Sequence, residues 1–145
     1  MSTLNMTIFY ADDDHDDLEI FRDAIESLGR PAEVFTYDGG QKLISALHNP
    51  PPAPQVVFLD LNMPGKNGFD ALADIRESST LREIPVIVFS TSDDRIAVER
   101  SWSLGANFYM RKPTSFATLK NSLREVLEID WKHFEPNLSN FYISQ

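Results

Sequence analysis

Cysteine is absent from the 145 residues, which excludes disulfides and thiolate metal sites. That absence suits a reducing compartment. No apolar run approaches the ~20 residues needed to cross a bilayer. The start, Met1-Ser2-Thr3-Leu4-Asn5, has neither the basic residues nor the apolar core of a signal peptide. The expected location is therefore cytoplasmic, with no membrane contact. Bases are scarce: 13 Lys and Arg stand against 22 Asp and Glu, a net charge of −9. A nucleic-acid surface needs a basic stripe, so nucleic acid is not an expected partner. Linkers, repeats and low-complexity tracts are also missing, and one domain is expected.

Five apolar segments alternate with five helical patterns. The central one is Val56-Val57-Phe58-Leu59, which runs straight into Asp60 and then breaks at Met63-Pro64-Gly65. A short continuous apolar run between breakers predicts a strand buried on both faces. Met6 to Ala11, Glu33 to Tyr37, Val86 to Ser90 and Asn107 to Met110 predict the other four strands. Between them, Leu18, Phe21, Ile25 and Leu28 predict one helix face, closed by Gly29. Leu43, Ile44 and Leu47 mark a second helix, and Phe69, Leu72 and Ile75 a third. Ser92 is expected to cap a fourth helix, carrying Ile96 and Leu104, and Ser115 a fifth, with Phe116, Leu119, Leu123, Val126 and Leu127 on its face. Asp14, Asp16 and Asp17 are expected in the first turn of the first helix, where acids favour the dipole. The alternation predicts an α/β fold, a parallel sheet with helices on both sides.

In a parallel sheet the strand ends converge on one edge, where open α/β folds bind ligands. Here that edge collects Asp12 and Asp13 from the first strand, Asp60 from the third, Ser90 from the fourth and Lys112 from the fifth. Asp60 alone would pass for a turn residue. Three carboxylates together repel, by roughly 4 kcal/mol for a pair about 4 Å apart at an effective dielectric near 20. An oxygen-preferring divalent cation relieves that, and Mg²⁺ suits few carboxylates plus a phosphate. Lys112 adds a second positive charge. The set points to a phosphoryl group, with an Asp carboxylate as nucleophile.

These stretches resemble the receiver domain of two-component response regulators. The resemblance rests on Ile8-Phe9-Tyr10-Ala11-Asp12-Asp13-Asp14, Val57-Phe58-Leu59-Asp60-Leu61-Asn62-Met63-Pro64-Gly65, Pro85-Val86-Ile87-Val88-Phe89-Ser90 and Tyr109-Met110-Arg111-Lys112-Pro113. It implies a flavodoxin-like (CheY-like), doubly wound, five-stranded parallel sheet with five helices. It covers residues 6–130, leaving 131–145 as a C-terminal extension packed on the domain or at a partner interface. The stand-alone, single-domain regulators are the most similar. By resemblance, Asp60 is the phosphoacceptor, served by a histidine kinase or a histidine phosphotransfer protein. Asp12, Asp13, Asp60 and the backbone carbonyl of Asn62 hold Mg²⁺, with Mn²⁺ as a substitute. Ser90 and Lys112 bind the phosphoryl, Ser90 and Tyr109 form the switch, and Asn62 and Ser92 tune the lifetime of the phosphorylated state. A cis bond is expected between Lys112 and Pro113.

The resemblance also implies an output surface made of the fourth helix, the fifth strand and the fifth helix. It would meet a downstream protein or a second copy as a homodimer. The sequence departs from the family's pattern at Tyr10-Ala11, where two aliphatics are usual, and at Thr91, where Ala or Gly is usual. Three other readings compete. One is a phosphate sink or shuttle in a relay. Another is a degenerate receiver that needs no phosphorylation, although all five pocket residues are present. The third is a phosphatase of the haloacid-dehalogenase type, which wants an Asp two residues after its nucleophile. Asn62 stands there, so turnover on outside substrates is not expected.

Overall fold

The computed structural model describes residues 6–131, 133–134 and 141–143. Its elements are β1 (Met6–Ala11), α1 (His15–Ser27), β2 (Ala32–Tyr37), α2 (Gly40–Leu47), β3 (Val56–Leu59), α3 (Gly68–Glu77), β4 (Val86–Ser90), α4 (Arg95–Ser103), β5 (Phe108–Arg111), α5 (Phe116–Leu127) and β6 (Tyr142–Ile143). The strands form one sheet in the order β2-β1-β3-β4-β5-β6, and every pairing is parallel. The order turns back on itself between β1 and β3, which opens a crevice at the carboxyl edge there. The expected five strands and five helices are all present; the sixth strand was not expected.

Strand alternation divides the core in two. Ile8, Tyr10, Phe58, Ile87, Phe89, Phe108 and Met110 face α1 and α5. Phe9, Ala11, Val57, Leu59, Val86, Val88 and Tyr109 face the side covered by α2 and α3. On the first side Phe21 of α1 is fully buried and stacks against Tyr10, Phe58 and Phe89 at centroid distances of 4.4, 4.9 and 5.9 Å. Burying one such ring contributes about 1.5–3 kcal/mol, so α1 is fixed firmly beneath the end of β1.

Helix ends follow local chemistry. Asp14 caps α1 by accepting from the Asp17 N–H at 3.1 Å, so it precedes the first turn rather than sitting in it. Gly29, at φ +69°, closes the helix in the left-handed conformation that glycine adopts freely. Ser115 caps α5 as expected. The cap of α4 differs: it is Asp94, accepting from the Ile96 N–H at 2.8 Å. Ser92 instead accepts from the Asp94 N–H at 3.1 Å, so its hydroxyl closes the turn before the helix. Ile96, in the first turn of α4, is 74% exposed, while Ala97, Val98, Trp102 and Leu104 pack inward. Phe116 is likewise half exposed at the start of α5. Among the described residues the cis bonds are Pro50–Pro51 and Pro51–Pro52. Lys112–Pro113 is trans, the intrinsically favoured isomer, against expectation.

Part of the expected extension is described. The Trp131 indole donates to the Val126 carbonyl at 3.2 Å and packs on Phe108 at 5.8 Å. Phe141 is buried against Trp102 and Tyr109. The Tyr109 N–H donates to the Phe141 carbonyl at 2.8 Å, which begins the β5–β6 pairing. Residues 132, 135–140 and 144–145 of that segment lie outside the described residues.

Candidate functional site

The backbone carries the acids just past the ends of their strands. The Asp12 N–H donates to Tyr37 O at 3.0 Å, the Asp60 N–H to Ala11 O at 3.0 Å and the Lys112 N–H to Ser90 O at 2.7 Å. Each side chain therefore inherits the alternation of its strand. Asp12 follows Ile8 and Tyr10, Asp60 follows Val56 and Phe58, and Lys112 follows Phe108 and Met110. All three emerge on the α1 side and meet. Asp13 and Ser90 follow the opposite parity.

Asp12, Asp13 and Asp60 each offer a carboxylate oxygen, and these oxygens lie within 4.8 Å of one another. Asp12 and Asp60 are buried, and Asp13 is exposed. An all-oxygen set this tight, open on one side, fits a hard divalent cation that keeps some of its waters. Asn62 and Asp13 line a cleft beside it with Met63, Pro64 and Arg100.

Lys112 reaches this cluster from β5. Its Nζ lies 2.6 Å from Asp12 Oδ2, 2.8 Å from Asp17 Oδ2 and 3.6 Å from Asp60 Oδ1. Burial works to lower the lysine's pKa. Hydrogen bonds to Asp12 and Asp17 and the charge of Asp60 outweigh it, giving about 12. The ammonium therefore stays charged. Asp12 is held from three directions: the Tyr10 hydroxyl and Lys112 both donate to Oδ2, and the Asp14 N–H donates to Oδ1 at 3.0 Å. Burial first, and then the Asp12 charge, raises the Tyr10 hydroxyl far above its ordinary pKa, so it remains a donor. Sequence reasoning missed Tyr10 and Asp17 as members of this site.

Ser90 is fully buried, and its hydroxyl accepts from the Ser92 N–H at 3.2 Å. Tyr109 is also fully buried, and its hydroxyl donates to the Ser92 carbonyl at 2.7 Å. The structure thus links three of the expected residues, Ser90, Ser92 and Tyr109, in one chain beside the cluster.

Burial raises the Asp60 carboxyl from 3.8 to about 7; Lys112 opposes the shift, and Asp12 and Asp13 add to it. Below about pH 4 Asp60 is protonated in both folded and unfolded chains. Between about 4 and 7 the folded chain keeps its proton and the unfolded chain loses it, so stability falls as pH rises. The metal-free protein should lose up to about 4 kcal/mol across that window from this one group. Urea unfolding at pH 4.5 and pH 7.5 should show the fall, and Asp60→Asn should remove it. Equal pH slopes in the two proteins would refute the shift.

Comparison with known proteins agrees with this geometry. Residues 8–124 match the family described as the response regulator receiver domain. The probable methanogenesis regulatory protein FilR2 of Methanothrix harundinacea is 40% identical over 75 residues, 52% of this chain and 48% of that protein. Response regulator Rcp1 of Synechocystis is 38% identical over 68 residues, 47% of this chain and 46% of that one. The aligned part thus spans about half the length of these curated relatives. The phosphorylated cyanobacterial phytochrome response regulator RcpA superposes with a TM-score of 0.79 at 29% identity, covering 90% of this chain and 96% of its own. No described helix is long and apolar enough to cross a membrane. A crevice of three acids facing a largely covered lysine at the carboxyl edge of this sheet, within a match that spans most of the residues, places the chain in the response regulator receiver domain family of two-component signalling.

Proposed function

We propose that this protein accepts a phosphoryl group on Asp60 from a histidine kinase or a histidine phosphotransfer protein, with Mg²⁺ bound, and signals through its own surface. The observation that carries this is the buried Asp60 carboxylate with two acids beside it and the Lys112 ammonium 3.6 Å away. An Asp60 oxygen attacks the phosphorus, the P–N bond to the donor imidazole breaks, and its electron pair stays on the imidazole nitrogen. Asp12, Asp13, Asp60 and the Asn62 carbonyl would hold Mg²⁺, which neutralises charge on the phosphoryl oxygens when bound. Mn²⁺ would substitute. Lys112 and the Ser90 hydroxyl bind the remaining oxygens. Asn62 and Ser92, two residues beyond Asp60 and Ser90 respectively, set how long the acyl phosphate lasts. No turnover on outside substrates is proposed, because Asn62 offers no carboxylate for acid–base work.

The switch follows from the buried chain of residues. Ser90 accepts from the Ser92 N–H and keeps its own proton to donate to a phosphoryl oxygen, so the proposed inward turn of Ser90 pulls on the Ser92 backbone. Movement there disturbs the Ser92 carbonyl that holds Tyr109. Tyr109 packs against Phe141 and, through its backbone, carries the start of β6. The output face is therefore α4, β5 and α5 with β6 added along the β5 edge, open to a downstream protein or a second copy. The proposed setting is the cytoplasm. Backbone NMR with Mg²⁺ and beryllofluoride, a phosphoryl mimic, should shift Ser90, Tyr109, α4 and Phe141 together. Shifts confined to residues 12–14, 60–66 and 112–114 would overturn the switch in favour of a phosphate sink.

A further inference from the structure

Lys112 does not point chiefly at the phosphoacceptor. Its ammonium lies within hydrogen-bond range of Asp12 and Asp17, and its distance to Asp60 is 3.6 Å, too long for a good hydrogen bond. An ammonium has three protons. Two are committed, and the third faces Asp60 loosely. A phosphoryl on Asp60 adds oxygens that draw the ammonium toward Asp60, and they compete with the two partners that now hold it away.

The two partners differ in what yielding costs them. Asp12 has a side chain only 1% exposed and two further donors in place, Tyr10 and the Asp14 N–H. Asp17 has a side chain 33% exposed, so water can replace the lysine there. Its place is well fixed. Its backbone N–H is the one that the Asp14 cap receives, and α1 is anchored by Phe21. Asp17 also borders a cavity of about 330 Å³ with Ile20, Phe89, Lys112 and Phe116, open to solvent beside the site.

We propose that Asp17 is a positioning residue that holds Lys112 back from Asp60 and releases it when the phosphoryl arrives. Asp17 thereby sets the affinity of the site for the phosphoryl group. This rests on Asp60 being the phosphoacceptor. It goes beyond the dipole role of a first-turn acid, which the neighbouring Asp16, exposed in the same turn, shares without touching Lys112.

Beryllofluoride titration at fixed Mg²⁺ separates the two roles. Asp17→Asn frees the lysine and removes a competing charge, so the beryllofluoride midpoint should fall about three- to tenfold, the worth of a half-exposed ion pair. Asp17→Glu keeps the charge within reach and should restore the wild-type midpoint. Asp16→Asn removes equal charge from the same turn and should leave the midpoint within twofold. In ¹⁵N spectra the Lys112 ammonium signal should move in Asp17→Asn and stay in Asp16→Asn. Equal midpoints for Asp17→Asn and wild type, or equal shifts for Asp16→Asn and Asp17→Asn, would overturn the tether while leaving the phosphoacceptor in place. A wild-type protein that binds no beryllofluoride would overturn the Asp60 reading, and the tether with it.

Discussion

Asp60→Asn protein incubated with Mg²⁺ and acetyl phosphate should gain no mass, while the wild-type protein should gain one phosphoryl group. In the proposed reaction the carboxylate is the nucleophile, and an amide oxygen at the same place is too weak to attack phosphorus. Position is otherwise unchanged, since Asn has the same shape and its N–H makes the same bond to Ala11 O. The variant should also fold at least as well as wild type at neutral pH, because it removes a charge that burial and two neighbouring acids disfavour. Loss of phosphorylation therefore will not come from unfolding. Intact mass spectrometry reads the result directly. An equal gain in the variant would place the phosphoryl on another side chain, and Asp13, the exposed acid of the cluster, would be the next to replace.

Much of this site is legible in the sequence because strand ends are. Apolar runs that stop at Asp12, Asp60, Ser90 and Lys112 are short, β-rich and bounded by breakers, and a parallel sheet leaves their ends no choice of edge. Alternation adds a signal that reading the ends alone does not use. Ile8, Tyr10, Asp12 share one parity, as do Val56, Phe58, Asp60 and Phe108, Met110, Lys112. Those three runs point to one face, the α1 face. Asp17 falls four residues after Asp13 and three after its cap, so a helix starting at residue 15 turns it back toward the strand ends. Tyr10 carries the same signal: two residues before Asp12, it lies on the same side and can donate to it.

Other features depend on tertiary choices that no local pattern carries. Ser92 and Asp94 are both good caps, and in the fold the Ser92 hydroxyl closes the preceding turn while Asp94 caps the helix. The tail has too few residues of regular spacing to predict β6. It pairs because the β5 edge is otherwise open, and because Phe141 fits beside Trp102 and Tyr109. An unpaired edge has a cost that covering strands relieve. The same pairing puts the tail against Tyr109, so the part least legible in the sequence touches the part proposed to move.

Gly68→Ala should destabilise the protein by about 2–4 kcal/mol and slow phosphorylation of whatever remains folded. Gly68 opens α3 beneath the loop that carries Asp60, the proposed phosphoacceptor, and its N–H donates to Leu61 O at 3.1 Å. A Cβ there would lie 2.3 Å from the Asp60 carbonyl oxygen and 2.7 Å from Leu61 Cα. These are backbone atoms, so no side chain can swing aside. Either the Asp60–Leu61 segment or the first turn of α3 has to move. The α3 end is pinned by a capping box between Asn67 and Asp70, and the loop is hemmed from the other side, where Gly40 abuts the Lys66 carbonyl. The shift therefore falls on Asp60 itself, and a displacement near 1 Å at a reacting atom can cost about a hundredfold in rate. Gly65→Ala is the matched control. Gly65 has φ +73° with open space around its Cβ direction, so it should cost about 1 kcal/mol from backbone conformation alone and leave Asp60 in place. Thermal melts and the initial rate of labelling by acetyl phosphate, measured below both melting points, separate the two. A Gly68→Ala protein that melts with wild type and labels at the wild-type rate would show that the loop yields freely, and that the close approach does not position the phosphoacceptor.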